Sequence, residues 1–340
     1  MSTAESKQFT NKVWTAAGIF AFVVVMLLIL KSIFSVLLLL LAGAIIAIFF
    51  KGLAGLLEKH LRFSPGLALA VSIAASILLL LLFFWLTGRR IQLEAQELSD
   101  TLPAAFEQFK AKLNESAVGR KLIEKVSSDD TMNKAGGIFQ SFFRSTFGVI
   151  ADVYIIFLVG IFFTISPSLY TNGFVLLMPE KAKPKAASIL IKLGDSLKKW
   201  LKGQIMAMGF VASMSAIGLI ILGVPMWLIL ALMAGLLNFI PNFGPLIALI
   251  PAVLVGLMQD VSTAIIIAVM YTVIQILESS LVTPKIQQKL LSIPPALLIT
   301  VQVLMGVLTG GWGIILATPI LVVLMVTIRE LYVKPKETKS

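Results

Sequence analysis

The sequence predicts an all-α, polytopic integral membrane protein, and composition and pattern both support that prediction. Of its 340 residues, 58% are hydrophobic and 13% are charged, whereas a soluble domain carries roughly 25% charged residues. Mean hydropathy is +0.99. Apolar runs continue for ~18 residues or more without the alternation of a transmembrane β strand. We therefore expect about eight transmembrane helices together with re-entrant or broken helices.

Residues 1–88 are predicted to form a three-span region. The apolar stretch 13–50 would be about 57 Å long as one helix, nearly twice the ~30 Å hydrocarbon core, so we expect two spans that turn near Lys31-Ser32. The stretch is also too long for the ~7–15-residue core of a cleaved signal peptide. Pro65 is predicted to open the third span, which ends at Thr87, because proline is well tolerated at a helix start.

Residues 89–202 are predicted to contain two segments outside the membrane, separated by a fourth span. Residues 89–144 hold nine basic and eight acidic residues, with apolar residues at helical spacing, and indicate an extracytoplasmic helical layer. The fourth span begins the region 145–202 and ends before Ser166-Pro167. The most basic stretch, 180–202, holds seven lysines and one apolar face. It predicts an amphipathic interfacial helix with Trp200 in the aromatic belt, or else a solvated helix between spans.

Residues 203–332 form the predicted transport core, and 333–340 form a cytoplasmic tail. Loops in the core are very short, and several apolar pieces are only ~15 residues long, which is short for a full crossing. The pairs within 227–258 and 296–331 can therefore be either full crossings or re-entrant hairpins. The apolar pieces cover 204–222, 227–240, 244–258, 262–282, 296–310 and 313–331.

The distribution of basic residues predicts the orientation. With a cytoplasmic N-terminus and alternating crossings, 18 Lys and Arg residues fall inside and 10 outside, nine of the ten within 89–144. The positive-inside rule then places both termini in the cytoplasm. It also accounts for the net charge of +11 without a nucleic-acid partner.

Two acidic residues, Asp152 and Glu278, lie inside apolar spans, and a third, Asp260, lies in a turn. A charge at the bilayer centre costs ~2.5–3.5 kcal/mol, so each buried acid is a candidate functional residue. Gln275 shares a helix face with Glu278, and Tyr271 lies one turn earlier. Glu278 is thus either a proton, cation or polar-solute site, or half of a structural pair. Asp152 is either functional or the cap of a packed helix interface.

Residues 238–245 interrupt the apolar pattern and predict a broken helix. Asn238 and Gln204 are expected to line a path beside Glu278, because half-helix ends direct unpaired backbone groups at whatever passes. A tight cytoplasmic turn is the alternative. The residues that break the pattern here, and the proline that ends the Glu278 helix, are Pro241, Asn242, Gly244, Pro245 and Pro284.

A set of small residues near the C-terminus predicts close helix packing. Gly306 and Gly310 fit the small-xxx-small pattern, in which helix backbones approach each other. Gly313 and Pro319 follow in the same region. We expect tight helix–helix contact here.

The sequence lacks the motifs that are typical of several classes of protein function. The chain has no cysteine, which excludes disulfides and Cys-based zinc sites, and its single histidine, His60, lies in a predicted interfacial loop. There is no nucleotide-binding P-loop, no H-E-x-x-H and no ladder of arginines. We therefore predict no enzyme, no metal, no cofactor and no nucleotide partner. Transport would be passive or driven by a gradient.

The ordered motifs of the second half resemble those of the autoinducer-2 exporter family of bacterial membrane proteins. The order and spacing agree over roughly 203–326, whereas Lys51-Gly52 stands where Asn-Pro is common. The matching positions are Gly203-Gln204, 222–225 (Leu-Gly-Val-Pro), Gly235, Asn238, Ile240-Pro241, Gly244-Pro245, Gln275, Glu278, Pro284, Pro294 or Pro295, and 311–319.

The resemblance implies a multi-pass transporter of the bacterial cytoplasmic (inner) membrane that forms homo-oligomers, with a pentamer as one form. The family name refers to export of a small furanosyl signalling molecule, and other members resemble sodium/proton antiporters. We expect a secondary transporter of a small polar solute or ion. The alternatives are an antiporter and a non-transporting scaffold that presents 89–144 to partners.

Overall fold

The computed structural model describes residues 3–115, 146–282 and 294–333, and the regular structure in these ranges is entirely helical. Five of the described helices are long and apolar enough to cross a membrane. A sixth span results if two helices joined by a sharp bend are counted as one. The predicted all-α membrane fold is confirmed.

The N-terminal region consists of two long helices, α1 (Thr3–Leu61) and α2 (Pro65–Glu115). The turn predicted near Lys31-Ser32 is wrong, because α1 continues through it. Residues 19–42 contain no Gly or Pro, and lysine is a good helix former, so nothing in the backbone interrupts the helix. An uninterrupted helix supplies one candidate span, Ile33–Leu61, in place of two, and the side of the membrane on which the N-terminus lies stays a prediction.

Helix α2 begins at Pro65 as predicted, but it does not end at Thr87. It continues into the predicted extracytoplasmic layer, so that the third span and the start of the layer are one helix. Leu98 and Leu102 of this extension are buried and pack against the helices of the core. The rest of the predicted layer, residues 116–144, lies outside the described residues.

The fourth span is α3 (Thr146–Ile165), followed by the short helix α4 (Pro167–Leu176). The two helices meet at an angle of 88°, and the break at Ser166-Pro167 is confirmed. Helix α3 packs closely on α1 through paired glycines. A Cβ on Gly43 would lie 2.6 Å from Val159, and a Cβ on Gly160 would lie 2.6 Å from Ile46.

A 3₁₀ turn, Glu180–Ala182, leads into α5 (Lys183–Ile221), which joins the basic stretch and the next span in one helix. The predicted boundary at 202/203 falls inside this helix. No proline occurs within 185–221 to bend it sharply, so the basic stretch is an extension of the span and not a separate interfacial helix. Trp200 is buried, with 4% of its surface exposed, and packs edge-to-face against Phe239. Its predicted place in an aromatic belt is wrong.

The remaining helices match the predicted apolar pieces closely. Two π-helical turns, Glu278–Val282 and Arg329–Val333, extend α8 and α10. Helices α6, α7 and α9 are the short ones. The bounds are α6 (Trp227–Leu237), α7 (Phe243–Gln259), α8 (Val261–Leu277), α9 (Pro295–Thr309) and α10 (Gly311–Ile328).

Two apolar clusters form the core, and α5 contributes to both. One joins α5 to the extension of α2 and to α6, α7 and α8. The other joins α5 to α1, α3 and α10. Helix α5 is therefore the element around which the candidate site is built.

Candidate functional site

Helix α6 lies antiparallel on α5 and ends at the predicted break. A Cβ on Gly235 would lie 2.6 Å from the Ala212 Cβ and 3.0 Å from the Met208 carbonyl oxygen. One turn further along, the Gln204 side chain donates from Nε2 to the carbonyl oxygen of Asn238 at 2.7 Å. Residue numbers rise on α6 as they fall on α5, so the end of α6 lies beside Gln204.

The break between α6 and α7 requires its small and polar residues. Asn238 is buried and ends α6, and Asn242 has a positive φ of 67°, which asparagine tolerates better than most residues. A Cβ on Gly244 would lie 1.8 Å from the Leu237 carbonyl oxygen. Any larger residue at 244 would push the two helix ends apart. Pro245, in the first turn of α7, has no N–H to leave unpaired there.

Two glutamines donate hydrogen bonds to backbone carbonyls of the break, in addition to the bonds that its own N–H groups make, such as the one from Phe243 to the Pro241 carbonyl. Gln204 reaches the carbonyl of Asn238, and Gln302 donates from Nε2 to the carbonyl oxygen of Pro241 at 2.7 Å. The Asn242 Nδ2 lies 3.5 Å from Gln302 Oε1, a weak contact. Gln302 is completely buried. Because lipid offers no hydrogen bonds to an exposed carbonyl, these amides help to stabilise the break in a membrane.

Gln302 was missing from the predicted site. It is a single amide side chain within the apolar helix α9. A lone amide in an apolar stretch is the same sequence feature that identified Gln204. Thr318 was missed as well. The α9–α10 packing of Gly306 on Ile314 and of Gly313 on Met305 places Thr318 about level with Gln302. Its hydroxyl is buried without a hydrogen-bond partner among the described residues.

The predicted pair of Gln275 and Glu278 is present at the end of α8. Gln275 Nε2 donates to Glu278 Oε2 at 3.1 Å, and Glu278 is 8% exposed. Glu278 also opens the π-helical turn Glu278–Val282, a distortion that is frequent at functional sites. A buried carboxylate with an amide donor is thus held where the helix geometry changes.

The register of α8 on α5 relates this pair to the break. Tyr271 lies beside Ser215, and Met270 packs on Gly218, so the two helices run antiparallel. Seven residues further on, Glu278 is about level with Met208. Gln204 lies one turn beyond, roughly 6 Å along the axis. The Gln275–Glu278 pair and the broken helix therefore lie next to each other on α5.

The two secondary acidic candidates have separate structural partners. Asp152 Oδ2 accepts from the indole Nε1 of Trp312 at 2.6 Å, which ties α3 to the start of α10. Asp260 caps α8: its carboxylate accepts from the Thr263 backbone N–H and from the Thr263 hydroxyl. The hydroxyl hydrogen bond, followed by the backbone one, lowers the pKa of Asp260. Neither residue lies with Glu278.

The small residues near the C-terminus form the α9–α10 turn. Gly310 has a φ of 69° and leaves open space around it, whereas a Cβ on Gly313 would lie 2.2 Å from the Met305 carbonyl oxygen. Pro319 is buried within α10 and interrupts its hydrogen bonding. Pro284 lies outside the described residues.

A further buried acid, Glu94 on the extension of α2, was also missed. Its Oε2 accepts from the backbone N–H of Ile229 at 2.8 Å, and its Oε1 accepts from Arg90 at 2.9 Å. A carboxylate at a helix N-terminus is favourable, and Arg90 also lies over the Trp227 ring. Glu94 therefore anchors the extension of α2 to the start of α6.

The arrangement places the buried Glu278 carboxyl group beside a backbone break that amides contact. A carboxyl group has the chemistry to hold a proton, a cation or a polar group. Among the residues that the structure describes, no group of three or more His, Cys, Asp or Glu side chains could hold a metal ion.

Three bacterial proteins show sequence similarity to part of the chain. "Putative transport protein YrrI" of Bacillus subtilis is 29% identical over 150 residues, which is 44% of this chain and 42% of that protein. "Putative transport protein YueF" of the same organism is 31% identical over 146 residues, which is 43% of this chain and 40% of that protein. A "Putative transport protein" of Borreliella burgdorferi is 27% identical over 139 residues, 40% and 38% of the two chains. The match thus spans about two fifths of the length of these curated relatives.

The family described as AI-2E family transporter matches residues 20–333. That range includes the break, both glutamines and the Gln275–Glu278 pair, and it confirms the resemblance that the motifs predicted. By this match, the chain belongs to the family described as AI-2E family transporter.

Proposed function

We propose that the protein is a secondary transporter that exports a small polar solute or signalling molecule across the bacterial cytoplasmic membrane. Transport is passive or driven by an ion gradient, with no ATPase and no enzymatic step. The path runs along α5, past Gln275 and Glu278 and the amides of the broken helix.

The observation that supports this proposal best is the buried carboxylate of Glu278. It lies on an apolar span, Val261–Leu281, and accepts a hydrogen bond from the Gln275 amide of the same helix. Keeping an acid at this depth costs several kcal/mol on insertion scales. We infer that a membrane protein with such an energetically costly acid beside a backbone break uses it as a polar binding site.

We further propose that the C-terminus and the basic stretch of α5 face the cytoplasm, in homo-oligomers, with the pentamer as the first assembly to test. Lys192 of that stretch pairs with Glu330 after α10, so the two ends lie on one side. The positive-inside rule assigns the lysine-rich side to the cytoplasm. When spheroplasts are treated with a lysine-directed, membrane-impermeant reagent, Lys198 and Lys199 should therefore remain unlabelled.

The test of transport compares Glu278→Gln with wild-type protein in proteoliposomes. The probes are ²²Na⁺, a proton-sensitive dye and a radiolabelled pentose, and the control is Glu97→Gln, which removes an exposed acid of the α2 extension. We expect Glu278→Gln to keep its oligomer size and to lose most flux of every probe that wild-type protein moves. Unchanged flux in Glu278→Gln would refute the site.

Sodium/proton antiport is the second candidate, because one buried carboxylate can bind either ion in turn. An imposed sodium gradient should then move protons in the opposite direction in wild-type liposomes and should fail to do so with Glu278→Gln. If the protein moves pentose and the pentose flux does not change with the sodium gradient, solute export is supported over antiport.

The third candidate is a scaffold, favoured by the anchoring of the α2 extension at Glu94 and Leu98. A scaffold would move none of the probes above the rate of empty liposomes. The scaffold would be supported if disruption of Leu98 abolished the cellular role of the protein while Glu278→Gln left that role unchanged.

A further inference from the structure

Two buried hydroxyls lie together between α5 and α8, outside the pair and the break. Ser215 is completely buried, and Tyr271 is 7% exposed. Ser215 lies beside the Tyr271 hydroxyl. The contact between the two oxygens falls short of hydrogen-bond geometry, however, and neither has another hydrogen-bond partner within residues 3–115, 146–282 and 294–333.

Such hydroxyls are unusual, because buried polar atoms in proteins almost always have a partner. Leaving one unsatisfied costs about 1–3 kcal/mol, and here two occur side by side. Buried waters occupy sites of this kind, since one water molecule can bond to two or more polar groups at once. The two hydroxyls therefore point to a bound water between them.

The position of the hydroxyls connects them to Glu278. Tyr271, Gln275 and Glu278 are spaced at i, i+4 and i+7, so they share one face of α8, and that face contacts α5. From the level of Tyr271 to that of Glu278 is about 10 Å along the axis. A short file of waters is enough to cover that distance.

The opposite end of the hydroxyl pair is closed by apolar side chains. Met270 packs so tightly on Gly218 that a Cβ there would lie 2.0 Å from the Met270 sulfur. Leu219 and Ile267 are completely buried at the same level. The polar groups thus begin at Ser215–Tyr271, under an apolar layer whose methionine side chain is flexible.

We propose that Ser215 and Tyr271 hold ordered water that passes protons to and from Glu278, which makes the proton the coupling ion of the transporter. This inference rests on the proposed function. Each water gives up one proton as it accepts another, so the net step converts the Glu278 carboxylate to the acid. Nothing is oxidised or reduced.

The test measures proton flux in proteoliposomes under a potassium diffusion potential, with an internal pH-sensitive dye. Tyr271→Phe and Ser215→Ala each remove one hydroxyl from the pair. Their controls, Thr272→Val and Ser213→Ala, remove exposed hydroxyls from the neighbouring positions of the same helices. We expect roughly a tenfold loss of proton flux in each pair variant, equivalent to one lost hydrogen bond, and less than about a twofold change in the controls.

Glu278→Gln separates this inference from the function on which it rests. If Glu278→Gln loses proton flux while Tyr271→Phe and Ser215→Ala keep it, the relay is refuted and the transport site stands. If wild-type protein conducts no protons, the relay is refuted whatever pentose flux is measured. A high-resolution map of the full chain in nanodiscs gives a readout independent of flux. Density for water touching both hydroxyls supports the proposal, and a direct, dry hydrogen bond between them overturns it.

Discussion

The two short hairpins of the core, α6–α7 and α9–α10, have similar lengths and composition but close in different ways. In α9–α10 the turn is made by backbone alone: Gly310 takes a positive φ, and its N–H donates to the Gly306 carbonyl. In α6–α7 the chain is broken over several residues that keep some backbone hydrogen bonds. The carbonyls of Asn238 and Pro241 also accept from Gln204 and Gln302 of other helices. The α9–α10 turn is therefore closed by backbone alone, whereas the α6–α7 break combines backbone hydrogen bonds with side-chain donors, which can exchange partners.

This difference indicates where the molecule can change conformation. A turn closed by its own backbone gains nothing from opening. Carbonyls that are satisfied by glutamine side chains can instead bond to water or to a solute, at little net cost. The α6–α7 break lies about one helical turn from Glu278 along α5. The four predictions below test this contrast.

The largest effect is expected at Gly244, where a Cβ would lie 1.8 Å from the Leu237 carbonyl oxygen. Backbone cannot move aside as a side chain does, so Gly244→Ala should destabilise the fold by about 3 kcal/mol or more. Gly209→Ala is the matched control, because no atom lies within 4 Å of its added Cβ. Denaturation midpoints in mixed micelles measure both. Equal midpoints would contradict the close approach of the two helix ends.

Removing the Gln302 side-chain amide should have the next largest effect. Gln302→Leu keeps the side-chain size but removes two hydrogen bonds of the break, the one to the Pro241 carbonyl, which keeps the Phe243 N–H as a donor, and the one from Asn242. At about 0.5–1.5 kcal/mol for each bond, the cost is about 1–3 kcal/mol. Thr300→Val is the control, since its hydroxyl bonds only within its own helix, to Ala296, and is exposed. We expect Gln302→Leu also to change flux in proteoliposomes. A Gln302→Leu protein as stable as wild type would show that the break does not depend on this amide.

A smaller effect is expected at Gly310, where space is open and only the backbone conformation matters. Gly310→Ala places a Cβ at a φ of 69° and should cost about 1–2 kcal/mol. Because the turn is far from the polar groups of the break, flux per folded molecule should stay unchanged. Loss of flux at normal stability would mean that the α9–α10 turn moves during transport.

The smallest effect is expected for Asp260, which caps α8 at the end of the α6–α7 hairpin. Hydrogen bonds from Thr263 hold its pKa below the ordinary value of 3.8 in the folded state. Its stabilising contribution is therefore present above the pKa of the unfolded chain and is lost as the pH falls through the lower, folded pKa. Asp260→Asn should melt below wild type at neutral pH, and the difference in melting temperature should shrink as the pH falls below 3.8. A difference independent of pH would exclude the charged cap.

The sequence was sufficient for most helix ends but not for the contacts between helices. Proline and glycine limit helices through the backbone, so the ends at Ser166-Pro167 and near Gly310 could be predicted from local rules. The turn at Lys31-Ser32 was wrong because it rested on length alone, with no residue there that breaks a helix. The bond from Gln302 to Pro241 joins residues 61 positions apart, and only the packing of α9 against the break reveals it. Trp200 was misplaced for the same reason, since amphipathic spacing cannot distinguish a lipid surface from a neighbouring helix.

The central claim is that water reaches the Gln275–Glu278 pair inside the membrane. The absence of native cysteines allows a direct test by single substitution and labelling with a small, charged, membrane-impermeant thiol reagent in proteoliposomes. Gln275→Cys on the α5-facing side should react, whereas Ile276→Cys, whose native side chain is 56% exposed on the outside of the helix bundle, should lie in lipid and resist. Reaction at 275 but not at 276 is the predicted result. Protection of both positions under every gradient and solute condition would contradict the account.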